Sequence, residues 1–549
     1  MGRMRLAGAI LVLFAFVVAP VARAADAPKL PPQPIDPATA VDHDGQPIKK
    51  PAEREKPLYA HQVREGLIEP VSHAFDIPDL ILGLFGDGWK REAANVTVND
   101  EVANSSWFTN RNHVRALTPE QVRLGPLGQE LVPTPPYTIK SRKVGGVNPG
   151  FTIKDKAGKR WVVKLDPQGY PQIGSGADVV VGRLLWAAGY NISHDVAFSF
   201  RREDLKIDED LAKGDDKSPP FLDSDLDTLL RRGARYDDGR FAGQASLFLP
   251  GTPVGPIDMR SKRPDDPNDR YRHRHRRELR GLYALCSWVG SWDTKDHQSL
   301  ETFIEREDTL GFVRHNLLDF GASLGAAAEG PRPPERGYEY TVDYKWSLRR
   351  LFTLGFIREP WRKTETPVTI PSLGRFETEV WEPENFRSLQ PHPAFRERND
   401  GDDYWGAKLV ASFSDAQIAA AIDAAGYEDP RVKPALLALL ITRRDKLVRY
   451  YFDHIAPLDY FTLEGTTLKF RDLAVDRGLS AARSYEAEID GAGEDKKVQL
   501  SGTALELPPP SLSKEAKIEF KVAGSEAKAV EVHLVAEGGS WKIARVRHA

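Results

Sequence analysis

The chain has 549 residues, of which 41% are hydrophobic and 28% charged, with a formal charge of −3, which leaves room for about three or four domains. A balance so near neutrality gives no basis for a nucleic-acid partner. Its one cysteine, Cys286, cannot form an internal disulfide, so stability has to come from packed cores.

Arg3 and Arg5 precede an apolar run from Leu6 to Val18, then Pro20 and the small-residue site Ala22-Arg23-Ala24. That order predicts a cleavable secretory leader over residues 1–24 and an exported mature protein, periplasmic or secreted. Loss of Arg3, Arg5 and Arg23 takes the charge from −3 to −6. No cysteine follows to carry a lipid, and no later apolar stretch approaches the roughly 20 residues of a membrane-spanning helix. Residues 25–57, dense in proline and charge, read as a solvated linker, with order beginning near Leu58. Residues 58–136 include an apolar patch from Ile77 to Trp89 and the segment SSWFTNRNH at 105–113. They read as an extension packed on the domain that begins near Tyr137.

From Tyr137 short apolar runs alternate with glycine turns: YTIK, KVGGVNPG, FTIKD, KAG, RWVVKLD. This predicts three antiparallel strands. Ala177, Val180, Val181, Leu184, Leu185 and Ala188 then recur at helical spacing up to Gly189, predicting a helix over about 177–188 that buries its stripe on the sheet. Residues 200–270 are charged and proline-punctuated, with one strand-like run at 245–251. Alternating Arg and His in RYRHRHRRELR (270–280) predict the solvated start of a helix from about Arg276. His273 and His275, two apart, lack the i, i+4 spacing of helical zinc ligands. Two strands, SLETFIE and GFVRHNLLD, form a hairpin from Ser299 to Leu318, in which Glu301 is expected to point outward and His315 to be an ordinary strand residue. Helices follow at about 404–411, 414–425 and 431–454, with Trp346, Trp361, Trp381 and Trp405 expected to anchor loops. From Tyr460 alternation returns, predicting a small β domain, a sandwich.

A hairpin returns the chain to where it began, so Asp293, before the first strand, and Asp319, after the second, meet at one edge. Two carboxylates there, with Lys295, make a site for a divalent cation and a phosphate. Lys164 on the third strand adds positive charge, and the turn with Gly145, Gly146 and Gly150 lets backbone amides approach phosphate oxygens. Serine-hydrolase and zincin signatures are absent.

In these segments the chain resembles the protein-kinase-like superfamily in its divergent forms, the HipA-type and secretory-pathway kinases, and a group of exported bacterial proteins with the same segments. The resemblance implies an α+β, two-lobed protein-kinase-like fold: a small antiparallel-sheet lobe (137–205) and a mostly helical lobe (206–456), followed here by the C-terminal β domain (460–549). It implies magnesium or manganese with ATP or another nucleotide, and an acceptor that is a protein or a small molecule. Lys164 then holds the α- and β-phosphates with Asp178 in place of the usual Glu partner. Asp293 accepts the acceptor's proton, Lys295 steadies the transferred group, and Asp319 of Asp319-Phe320-Gly321 binds the metal. Gln298 stands where the family has Asn. Asp178, three residues after Ser175, also fits a capping box, and a second register makes Asp296 the catalytic carboxylate with Glu301 on the metal. Both departures from the family pattern keep open a pseudokinase, a binding or scaffolding protein of the cell envelope whose β domain docks a partner.

Overall fold

A computed structural model describes residues 39–55, 91–143, 147–214, 219–364, 368–491, 496–510 and 514–548. The expected leader, the apolar patch at 77–89, and Gly145 and Gly146 lie outside these residues. The architecture is the expected α+β one, with two lobes and a C-terminal β domain.

A short strand, β1 (Ile48–Lys49), comes from the stretch expected to be solvated linker. Ile48 is buried and β1 pairs with the later hairpin, so residues 39–55 are structural. The small lobe is a six-stranded sheet. It contains β2 (Tyr137–Arg142), β3 (Gly150–Lys154), β4 (Arg160–Leu165), β5 (Asp195–Phe200), β6 (Leu205–Ile207) and β7 (Phe241–Leu247). Their order is β5-β7-β4-β3-β2-β6, antiparallel except for the β2–β6 pair. Because β7 inserts between β4 and β5, the small lobe reaches Leu247 rather than ending at 205. Alternating residues of these strands, among them Ile139, Phe151, Ile153, Trp161 and Val163, form its own core.

The helix Ile173–Ala188 begins four residues earlier than its apolar stripe suggests. Val179, Val180 and Leu184 join the core of the helical lobe, so this helix is the wedge between the lobes. That lobe is built on the helices Arg277–Val289, Asp400–Ala411, Asp415–Ala424 and Val432–His454. Its hairpin, β9 (Ser299–Glu305) with β10 (Leu310–Leu317), is flanked by β8 (Thr252–Gly255) and β1 in the order β1-β10-β9-β8.

Arg270 and Arg272 of the Arg/His stretch are exposed, but the helix start from Arg276 is buried, not solvated. Arg276, Arg277 and Arg280 are almost fully enclosed, and buried cations persist only when paired. Arg276 meets Glu278 at 2.6 Å, Arg277 meets Asp100 and Asp402 at 2.9 Å each, and Arg280 meets Asp402 at 3.0 Å. Trp107, from the 105–113 segment, stacks on His315 with centroids 3.6 Å apart. Glu301 is likewise enclosed rather than outward, held by Arg263 and by Arg54 at 3.0 Å, with His315 at 3.6 Å.

Past Leu458, strands Leu458–Glu464, Thr467–Asp472 and Ala504–Glu506 form one sheet, and a five-stranded sheet ends at Ser540–His548. Both contribute to a single core with Phe461, Phe470, Phe520 and Trp541, as a sandwich requires.

Candidate active site

Hairpin geometry sets the site. The Gln298 carbonyl accepts from the Leu318 amide at 2.9 Å, which closes the hairpin's open end and brings the 293–298 loop beside Asp319. Within that loop Lys295 Nζ donates to both oxygens of Asp293, at 2.7 and 3.0 Å. Gln298 Nε2 donates to Asp293 Oδ2 at 2.8 Å. This leaves the Gln298 amide oxygen as the end that can face a cation.

From the sheet above, Lys164 reaches Asp319 Oδ1 at 2.8 Å. Burial works against the Lys164 ammonium, but Asp319, Asp178 and Asp195 outweigh it and raise its pKa. Burial likewise opposes ionisation of Asp319, yet Lys164, Lys143 and Lys295 hold its carboxyl below the ordinary range. Asp319 has φ of +61°, an uncommon conformation for a residue with a side chain.

Asp178 departs from both of its expected roles. It makes no ion pair with Lys164. Its Oδ1 accepts from the Phe320 amide at 3.1 Å, and its buried Oδ2 has no hydrogen-bond partner. Burial, then the charge of Asp195, pushes its carboxyl up to about 8 against the pull of Lys164. Nor does it cap the helix. Asp166 does that, accepting from the amides of Gln172 at 3.0 Å, Gly174 at 2.9 Å and Ser175 at 2.8 Å, and from Ser175 Oγ at 2.6 Å.

Gly150 heads β3 opposite Lys164. A Cβ there would stand 2.2 Å from the Val163 carbonyl, so close strand approach accounts for this glycine in place of the expected phosphate contact. Asp296, from the second register, accepts from the Met259 amide at 3.2 Å; it and Glu301 do not line the cleft.

The cleft has two ends that share Lys164 and Asp319. One, of about 510 Å³, is the charged end, with Lys143, Asp293, Lys295 and Gln298. The other, of about 440 Å³, is walled by Val162, Leu247, Phe248, Leu249, Leu300 and Leu318. A third cavity, of about 310 Å³ beside Arg123, Arg183 and His194, shares no residue with either. Sequence reasoning missed Lys143, Asp166 and the apolar end. The run at 245–251 was visible as a strand, but nothing local told that it crosses from one lobe to the other along the cleft.

Among the described residues no group of three His, Cys, Asp or Glu side chains could hold a metal. Carboxylate and amide oxygens beside three lysines fit a hard cation that arrives with phosphate groups and keeps some of its waters.

No protein-family model matches the chain, and no curated protein sequence matches it. Among solved structures it is similar to a Helicobacter pylori proinflammatory kinase, CtkA, at 10% identity and a TM-score of 0.32, covering 57% of this chain and 94% of that one. It is also similar to a Golgi casein kinase in two structures, one with Mn/ADP bound, at 12% identity and TM-scores of 0.29 and 0.28. These cover 77% of this chain and 94% and 96% of those chains. Likeness this distant is one of outline, and the site is read from its own residues.

Proposed function

We propose that the protein is an exported phosphotransferase that binds a nucleotide with magnesium or manganese between its lobes and transfers a phosphoryl or nucleotidyl group to a hydroxyl. The observation that carries this reading is the meeting, in one cleft, of the Lys164–Asp319 pair with the Asp293–Lys295–Gln298 cluster. The apolar end takes the planar base and the charged end the phosphates. On binding, Lys164 exchanges Asp319 for the α- and β-phosphates. Asp319 and the Gln298 amide oxygen would hold the cation, which would supply positive charge against the phosphates. Asp293 orients the acceptor hydroxyl and takes its proton, while Lys295 stands beside it to neutralise the group in transit. Export is supported by the pattern of residues 1–24.

Calorimetry with ATP and magnesium, together with transfer to generic acceptors, tests the proposal. Binding that is lost in Asp319→Ala is expected. A wild-type protein that binds no nucleotide at all overturns it.

One observation favours the second reading, a pseudokinase of the envelope. Lys164 is already neutralised by the residue that has to hold the metal, and Asp178 does not pull it away. Export strengthens this reading, because ATP is scarce outside the cytoplasm. A thermal shift with nucleotide and magnesium separates the two, since only the first reading expects a rise in melting temperature.

A further inference from the structure

Six of the eleven large hydrophobic residues exposed among the described residues lie within ten positions: Leu348, Leu351, Phe352, Leu354, Phe356 and Ile357. Phe352 and Phe356 are 82% and 87% exposed. The helix Tyr344–Phe352 places Leu348, Leu351 and Phe352 on one face. A tight turn follows, with the Gly355 amide donating to the Arg350 carbonyl at 3.0 Å and the Phe356 amide to Thr353 at 2.9 Å. Phe356 and Ile357 are thereby returned to the end of the helix.

The opposite side of this element is tied down. Trp361 is buried, stacks on Tyr338 at 5.3 Å and meets Trp346 edge-on at 4.5 Å. Arg350 reaches Glu339 and, at 2.5 Å, Glu359. The tryptophans therefore face inward while leucine and phenylalanine face water, an arrangement that means interaction when it forms a contiguous patch.

Charge says with what. Between Tyr344 and Lys363 the sequence carries six Lys and Arg against one acid, Glu359, and although Arg350 and Arg362 are paired with Glu339 and Glu359, the balance stays positive in a chain whose total is −3. Arg349 and Arg358 are exposed beside the apolar face. A second copy of the same basic face would repel it. We propose that this face seats on the surface of an anionic phospholipid bilayer: its apolar side chains enter the acyl boundary and its arginines meet the headgroups.

The full-length protein is floated with vesicles of phosphatidylcholine alone and with vesicles containing roughly 30% phosphatidylglycerol. The expected result is flotation with the anionic vesicles only, reduced about ten-fold in the double variant Phe352→Glu/Phe356→Glu and in Arg349→Glu/Arg358→Glu. Melting temperature is expected to change little in both, since Phe352, Phe356 and Arg358 are exposed and Arg349, itself exposed, gives up a contact over the Trp346 ring at 4.9 Å. Failure of the wild type to float with anionic vesicles overturns the proposal, as does flotation of the folded variants equal to wild type. So does sedimentation showing a dimer that Phe352→Glu dissolves, with no vesicle binding, because the face then belongs to a second copy.

Discussion

Both ring nitrogens of His113 are buried without a hydrogen-bond partner, with Nε2 3.9 Å from the Glu101 carboxylate. Burial, and then the charge of Lys408, lowers its pKa from 6.5 to about 3. Between those values the unfolded chain binds a proton that the folded protein refuses, so this residue's contribution to stability is lost as pH falls from about 6.5 toward 3. In His113→Phe the fall of folding free energy over that window, followed by urea denaturation, should be shallower by on the order of a few kcal/mol. Equal slopes in the two proteins would refute the assignment. Asp166 is the second residue with a large expected effect. Asp166→Ala strips the acceptor from three backbone amides and from Ser175 and should cost about 2 kcal/mol, whereas Asp178→Asn keeps its carbonyl for the Phe320 amide and should cost less.

At the scale of elements, the wedge helix is fixed at its start by the helical lobe. Gln172 Nε2 donates to the Gly426 carbonyl at 3.0 Å and its Oε1 accepts from Glu428 at 2.8 Å. A Cβ on Gly176 would lie 2.4 Å from the Tyr427 ring. Gly176→Ala should therefore destabilise the protein by about 1–3 kcal/mol, and Tyr427→Ala in the same chain should recover part of the loss in a double-mutant cycle. Additive losses would show that the two do not touch. Hairpin and helices were legible in the sequence because their signals are local: periodicity for Arg277–Val289 and Val432–His454, and a polar turn between two apolar runs for β9 and β10. The same logic brought Asp293, Lys295 and Asp319 to one edge, whereas Gln298 was visible only through the resemblance to the kinase-like superfamily. What stayed hidden depends on distant partners. β7 pairs with β4 and β5 across intervening helices, and the Arg276–Arg280 cluster looks solvated until Asp100 and Asp402 arrive. The capping carboxylate Asp166 stands outside the spacing by which caps are recognised.

Across the whole molecule, the C-terminal sandwich is joined to the helical lobe by buried charge. Lys408 sits between Glu101 and Asp459 at 2.6 Å, Tyr404 reaches Asp459 at 3.0 Å, and His548 reaches Asp100 at 2.8 Å. Three separate parts of the chain thus share one lysine. Lys408→Met leaves two carboxylates buried and uncompensated, and should cost about 3–5 kcal/mol in chemical denaturation. A loss below about 1 kcal/mol would mean that the sandwich is held by apolar contacts alone.

β1 pairs Ile48 with Gly311 and Lys49 with Leu310, so a strand near one end of the chain waits for a partner that lies past its midpoint. During synthesis, more than half of the protein has to emerge before the edge of the hairpin is covered. Contacts of such long sequence separation form late, and an uncovered strand edge invites pairing with other chains. Asp293 and Asp319 flank this same hairpin, so a chain whose exposed hairpin edge pairs elsewhere puts the candidate site at risk as well.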